Sequence, residues 1–177
     1  ELYLATDEDR EGEAIAWHIT QAAGIPRGTP IYAAGDGVVE KAGVDKTKRT
    51  LTLLRGDNVI RVYQVSLGSS PIGHKSREGD GRTPEGRYTI DSRNSRSRFH
   101  LALHVSYPSA TDRADAERRH QPPGSDIMIH GLRNGLGWLN RWHLKRDWTD
   151  GCVAVTNSEI EEIWSHVATG TPVEIVP

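Results

Sequence analysis

The sequence is poor in cysteine and in long apolar runs. Cys152 is the one cysteine in 177 residues, so no disulfide can form within the chain. Any role of its thiol therefore depends on reactivity or on burial. No stretch approaches the roughly 20 apolar residues that a membrane-spanning helix needs. The start of the chain is acidic, where a secretory signal would be basic and then apolar. We expect no membrane span and no signal peptide.

An excess of one charge is also missing. The chain has 22 basic and 24 acidic side chains, a formal net charge of −2. A nucleic-acid binder needs a concentrated surplus of Lys and Arg to contact phosphates. The arginines that cluster at positions 93, 96 and 98 are interleaved with Ser and Asn. We interpret them as solvated loop surface, and nucleic acid is not an expected partner.

Hydrophobic periodicity indicates a chain rich in strands, with helical insertions. Apolar and polar residues alternate over residues 49–67 around a turn at Gly56-Asp57-Asn58, which predicts a β-hairpin. Residues 156–168 are typical of an amphipathic helix capped by Asn157 or Ser158. Further strands are predicted at residues 87–90, 99–105, 127–129, 153–155 and 172–176, and a short charged helix or loop at residues 111–120.

The first 43 residues have a different pattern. A short apolar run is followed by a capping-box pattern after Thr6 and a helical stripe that ends at Gly24 and Pro26. This predicts a βα segment over residues 1–26. A Gly-Asp-Gly turn between two apolar pairs then predicts a β-hairpin over residues 27–43. Residues 44–177 are predicted to form the main domain.

The segment Trp148-Thr149-Asp150-Gly151-Cys152 combines a thiol with a glycine. A thiol nucleophile needs a base within reach and backbone donors for the developing oxyanion. Gly151 lets the backbone approach a substrate, so the N–H groups of residues 151 and 152 are candidate donors. His130 follows an apolar strand and precedes a second glycine, which makes it the candidate base.

These residues resemble the signature of the L,D-transpeptidase (YkuD-like) domain, in which a His-Gly pair precedes a Ser/Thr-x-Gly-Cys element. The Gly79–Tyr88 stretch is similar to that family's Thr-Pro-x-Gly strand entry, and the His100–Pro108 stretch also matches. The resemblance covers about three quarters of the chain. It implies a mainly β fold, a β-sandwich or barrel, preceded here by the βα and hairpin extension.

The resemblance also implies a chemistry. Cys152 would attack a peptide carbonyl in a peptidoglycan stem peptide and form a thioester, and His130 would act as general base and then as acid. Gly151 would belong to the catalytic turn, and no metal or organic cofactor would be required. The group that orients His130 in such enzymes is often a backbone carbonyl. Further residues are expected to contact substrate: Thr149, Asp150, His104, Trp148 and Arg82.

The sequence departs from many family members at one point. They have a second histidine before the Gly-Cys pair and an arginine shortly after it, where this chain has Asp150 and Val153-Ala154. The Trp-Thr-x-Gly-Cys form is closer to the YafK/DpaA-like branch, which includes amidases that release wall-linked protein or cut cross-links. Transpeptidation and hydrolysis are therefore both open, with a wall-attached protein as a further partner. The resemblance implies a cell-envelope or periplasmic location.

Two short stretches at the start resemble other families. Residues 4–18 resemble the acidic motif of the TOPRIM domain of type IA topoisomerases, in which Asp7 and Asp9 would hold Mg²⁺. Residues 28–43 resemble a hairpin of LytM-type zinc endopeptidases, without that family's zinc ligands. We expect neither metal-dependent activity, because two carboxylates at a helix start are commonly solvated. A composite chain, or a catalytically silent wall-binding module, is the alternative from another class.

Overall fold

The computed structural model describes two short strands near the start of the chain and all of residues 39–177. The chain divides into two compact units, residues 1–38 and residues 39–177. In the first unit, β1 (Tyr3–Leu4) and β2 (Tyr32–Ala33) pair in parallel. The predicted helix after Thr6, together with Asp7 and Asp9, lies outside the described residues. The hairpin predicted over residues 27–43 stays a prediction, because its turn also lies outside them.

One eight-stranded sheet forms the framework of the second unit. In chain order its strands are β3 (Lys41–Asp45), β4 (Thr50–Arg55), β5 (Asn58–Gln64), β6 (Gly86–Ser97), β7 (His100–Val105), β8 (Met128–His130), β9 (Val153–Ala154) and β10 (Pro172–Val176). They lie in the order β5-β4-β3-β10-β6-β7-β8-β9, so the sheet is open, with β5 and β9 at its edges. Isolated bridges join Ser66 to Ala154 and Gly68 to Thr149. The predicted mainly β fold is confirmed, as an open sheet.

The second unit also has two α-helices and a 3-10 segment. Helix α1 spans Ala110–Arg118, helix α2 spans Asn157–His166, and the 3-10 segment spans Gly137–Lys145. No helix among the described residues is long and apolar enough to cross a membrane.

The N-cap of α2 differs from the prediction. Thr156 caps the helix through a reciprocal pair with Glu159, in which each side chain accepts from the other residue's backbone N–H. Asn157, one of the two predicted caps, uses its side-chain oxygen to accept the Leu132 N–H at 2.8 Å. The predicted cap was wrong because this side chain holds the loop that follows His130.

Strand β6 is longer than the sequence predicted. Its outer part was missed because residues 91–96 are polar and exposed and show no apolar alternation. The backbone ladder extends it: its first four residues pair with β10, and from Ile90 to Ser97 it pairs with β7. This extension carries the clustered arginines out along a hairpin, where the sequence predicted loop surface.

The core lies against the sheet and under α2. Alternate residues of the strands are buried, as in β3 and β4, where Val44, Leu51 and Leu53 are at most 1% exposed. Ile160 and Ile163 of α2 are fully buried in the same cluster. Each such side chain contributes about 1.5–3 kcal/mol by leaving water. The core therefore fixes β8, β9 and α2, whose ends lie around His130 and Cys152.

Candidate functional site

Two neighbouring strands place Cys152 and His130 on one face of the sheet. Strands β8 and β9 run parallel, with Ile129 opposite Val153 and His130 opposite Ala154. This register sets Cys152, just before β9, level with Met128. Because side chains alternate between faces, Cys152 and His130 project to the same side. The pairing brings together a thiol and an imidazole that lie 22 positions apart in the sequence.

Both side chains line a cavity of about 530 Å³, which we call the Cys152 pocket. Three other predicted site residues, Trp148, Thr149 and Asp150, line it as well. The rest of its wall comes from the β6–β7 hairpin and from the segment before β8: Asn94, Arg96, Ser97, Arg98, Phe99, Ser125, Asp126, Ile127 and Met128. The pocket thus joins the candidate nucleophile and base to a rim of both charge signs.

The thiol of Cys152 is held in its neutral form. Burial raises its pKa to about 11, although a hydrogen bond from the Met128 N–H favours the thiolate. The negative charge of Asp150 raises the pKa further, and the positive charge of Lys75 opposes it. The S–H group faces the carbonyl oxygen of Asp126 at 3.5 Å. At neutral pH the thiol therefore keeps its proton until a base removes it.

A hydrogen bond to the backbone fixes the ring of His130. Its Nδ1 lies 2.6 Å from the carbonyl oxygen of Gly131, and because a carbonyl only accepts, Nδ1 donates. In the neutral ring this leaves Nε2 as an acceptor. Burial lowers the pKa of His130, so the ring is neutral in ordinary buffers. The ring packs in one aromatic cluster with Phe99, at 4.6 Å between centroids, and Trp148, at 5.9 Å.

Thr149 organises the turn that carries the thiol. Its hydroxyl donates to the carbonyl oxygen of Cys152 at 2.7 Å and accepts the Gly151 N–H at 3.2 Å. The Gly151 N–H is thus already hydrogen-bonded, whereas the sequence analysis expected the N–H groups of residues 151 and 152 both to be available as donors. The Cys152 N–H has no hydrogen-bond partner within the described part of the chain.

Gly151 is required by close packing as well as by its backbone angle. Its φ is +129°, and a Cβ added there would lie 2.6 Å from the carbonyl oxygen of Arg82. Arg82 therefore supports the turn before Cys152 through its backbone. Its guanidinium group lies 3.5 Å from the carbonyl oxygen of His74 and lines no part of the Cys152 pocket.

His104 also lies outside the pocket lining. It is on β7 opposite Met128, and its Nδ1 contacts the Asp91 carboxylate at 2.6 Å. Its Nε2 lies 3.9 Å from the carboxylate of Asp126, which does line the pocket. Asp126 thus connects His104 to the Cys152 pocket.

Sequence reasoning missed Arg96, Arg98 and Phe99 in the pocket wall. All three sit where β6 turns into β7, and this hairpin has its turn directly beside His130. Neither guanidinium group has a carboxylate partner among the described residues. The clustering of arginine was the available signal, and its polar surroundings favoured the interpretation as loop surface.

A second cavity of about 720 Å³ adjoins the site, and we call it the Trp142 pocket. It shares Phe99 and Trp148 with the Cys152 pocket. The other residues of its lining are Leu132, Arg133, Leu136, Leu139, Trp142, His143, Lys145 and Arg146. Trp138, the third tryptophan of this region, is 76% exposed and lines neither pocket. Among the described residues, no group of three or more His, Cys, Asp or Glu is arranged to hold a metal ion.

Comparison with known proteins gives two family matches. Residues 41–175 match the YkuD model, described as the L,D-transpeptidase catalytic domain. Residues 1–35 match the Toprim domain. The protein YafK of Escherichia coli (strain K12), whose name places it with the L,D-transpeptidases, is 30% identical over 146 residues, covering 79% of this chain and 48% of YafK. The chain thus spans about half the length of this curated relative. DNA topoisomerase 1 of Campylobacter jejuni is 69% identical over 29 residues, 16% of this chain and 4% of that protein.

Solved structures share the fold. The helical cell shape determining protein Pgp2 of Campylobacter jejuni superposes with a TM-score of 0.58 at 20% identity, covering 77% of this chain and 47% of Pgp2. The L,D-transpeptidase LdtMt1 in complex with imipenem superposes with a TM-score of 0.52 at 18% identity, covering 79% of this chain and 60% of LdtMt1. The match to the YkuD model falls on the unit that holds Cys152 and His130.

Proposed function

We propose that this chain, which belongs to the YkuD family of L,D-transpeptidase catalytic domains, transfers acyl groups of peptidoglycan stem peptides through a thioester on Cys152. The observation that carries the proposal is the pairing of β8 with β9. It sets the thiol and a tautomer-fixed imidazole on one face, inside one pocket. The Toprim-like start of the chain has no part in this chemistry.

The first half of the reaction begins with a neutral Cys152 thiol and a neutral His130 imidazole. His130 Nε2 removes the S–H proton as the sulfur of Cys152 attacks the substrate carbonyl carbon, forming the C–S bond. The carbonyl oxygen takes the negative charge, and the open Cys152 N–H donates to it. When the tetrahedral centre collapses, the C–N bond breaks and His130 gives its proton to the leaving amine. The product is a thioester and a free amine.

The second half decides between two outcomes. An acceptor amine gives transpeptidation and water gives hydrolysis. In each case His130 takes the proton of the attacking group as the new C–N or C–O bond forms, the C–S bond breaks, and His130 returns that proton to the Cys152 sulfur. The 30% identity to YafK favours keeping hydrolysis as the second candidate, because the sequence resembles the branch that contains amidases. Release of a wall-attached protein and a location in the cell envelope belong to this proposal.

Intact-protein mass spectrometry after incubation with imipenem tests the nucleophile. We expect one covalent adduct on the wild type and none on Cys152→Ser. His130→Ala should lose at least the fast phase of labelling, because its thiol keeps its proton. If folded wild-type protein forms no adduct, the proposal fails and a wall-binding module becomes the better reading. Digestion of purified peptidoglycan with the active protein, with and without an added amine acceptor, then separates transfer from hydrolysis.

A further inference from the structure

The Trp142 pocket is larger than the Cys152 pocket, and the chemistry described above leaves it without a role. Its wall is mostly apolar, with leucine side chains from the loop after β8 and the indole of Trp142 from the 3-10 segment. Large apolar cavities with a few polar groups are the usual form of ligand sites. The question is which part of a substrate it would take.

The position of the Trp142 pocket relative to His130 indicates which side of the scissile bond it would take. Phe99 and Trp148 both pack against the His130 ring and lie 6.3 Å from each other, and the same two residues line both pockets and form the wall that they share. His130 exchanges its proton with the amine, so the amine nitrogen must lie beside this wall. Cys152 fixes the acyl part of the substrate in the Cys152 pocket, on one side of this wall. The chain attached to the amine then has the Trp142 pocket on the other side.

The charges of the lining indicate which chemical group the Trp142 pocket would attract. Arg133, Lys145 and Arg146 line the Trp142 pocket, and no Asp or Glu does. Lys145 lies 3.7 Å above the Trp142 ring, and neither arginine has a carboxylate partner in the part of the chain that the structure describes. The Cys152 pocket differs, since it carries Asp126 and Asp150 beside its arginines. A carboxylate would therefore be attracted to the Trp142 pocket.

We propose that the Trp142 pocket binds the amine-side peptide of the reaction, and that it selects a peptide with an apolar side chain and a free carboxylate. Arg133 and Arg146 are the residues that set this preference. The inference rests on the proposed function for the direction of the substrate. The binding that it predicts can be measured without any turnover.

The first measurement is peptide binding to Cys152→Ser, followed by the fluorescence of the tryptophans that line the pocket. The probes are the tripeptide Gly-Leu-Phe with a free carboxylate and the same tripeptide as its C-terminal amide. We expect the acid to bind at least about five-fold more tightly, a difference of about 1 kcal/mol. Adding Arg133→Gln and Arg146→Gln should remove the preference. The matched control is Arg77→Gln with Arg113→Gln, which removes two exposed positive charges outside the pocket and should keep the preference.

The second measurement is imipenem labelling of the same arginine variants with Cys152 intact. Labelling at any rate shows that these variants are folded with a reactive Cys152, and loss of the carboxylate preference in such variants supports the proposal. Equal affinity for acid and amide, binding of neither, or an equal loss in the control pair overturns it, even if labelling proceeds. A carboxylate preference in a protein that imipenem never labels would instead remove the proposed function, and with it the amine-side assignment.

Discussion

The hydroxyl of Thr149 donates a 2.7 Å hydrogen bond to the carbonyl oxygen of Cys152, and so fixes the turn on which the nucleophile sits. The hydroxyl oxygen of Thr149 in turn accepts the N–H of Gly151. One buried side chain thus holds the backbone on both sides of the peptide bond that precedes the thiol. Loss of this hydroxyl should disturb the direction of the thiol and of the Cys152 N–H without removing either group.

Thr149→Val tests this relationship, because valine keeps the shape and removes the hydroxyl. We expect the rate of Cys152 labelling by imipenem to fall about 10- to 100-fold, which corresponds to about 1.4–2.8 kcal/mol. Thr149→Ser keeps the hydroxyl and should stay within a few-fold of the wild type. Wild-type labelling by the valine variant would show that the turn holds its geometry without these bonds.

Gly151→Ala should destabilise the fold more than an ordinary glycine replacement does. The new Cβ would lie 2.6 Å from the Arg82 carbonyl oxygen in a backbone with φ of +129°. We expect a loss of about 2–4 kcal/mol in the free energy of unfolding, measured by urea denaturation. Gly79→Ala is the matched control, with φ of +72° and no atom within 4 Å of the added Cβ; about 1 kcal/mol is expected there. Equal losses would mean that the contact with Arg82 has no cost.

The pH dependence of alkylation reports the state of the thiol. Iodoacetamide reacts with thiolate, and burial raises the pKa of Cys152 to about 11. A raised pKa means that the thiolate is scarce below that value, so the rate should still be rising at pH 9. In the urea-unfolded protein it should reach half its plateau at about pH 8.5, as for an ordinary thiol. A plateau below pH 8 in the folded protein would indicate a preformed thiolate–imidazolium pair instead.

Asp150→Asn should make the thiol more reactive. The Asp150 carboxylate raises the pKa of Cys152, so its neutralisation should lower that pKa and increase the thiolate fraction at pH 8. We expect alkylation at pH 8 to accelerate about two- to five-fold. Asp57→Asn, in the turn between β4 and β5, removes the same charge away from the pocket and should have no effect. A slower reaction in Asp150→Asn would mean that this carboxylate helps the thiol in another way.

Much of the fold could be predicted from local patterns. The hairpin of β4 and β5, the final strand and the helix after residue 156 all appear where periodicity and turn residues indicate them. The extension of β6 could not be predicted in this way. Its outer residues are polar, and the backbone ladder with β7 makes them a strand. Periodicity detects burial, and residues 91–96 of β6 are exposed on both faces.

The site was predictable in part for a similar reason. The two glycines beside His130 and Cys152 mark close approaches of the backbone, and such marks are visible in a sequence. The parallel pairing of β8 with β9 is a long-range event between strands of three and two residues, which no local pattern indicates. The wall from Arg96 to Phe99 follows from the hairpin, and therefore escaped the sequence analysis along with it.

The parallel register of β8 and β9 also separates two properties of this protein. A parallel pair needs a crossover, and here residues 131–151 make it, carrying the 3-10 segment and most of the Trp142 pocket. The spacing of base and nucleophile is set by the strands, whereas the shape of the second pocket is set by the connection. Under the function proposed above, changes in the length or composition of residues 133–146 would therefore alter which molecule is accepted while the reacting groups keep their places. Reactivity and selectivity are in this sense independently adjustable parts of one short stretch of chain.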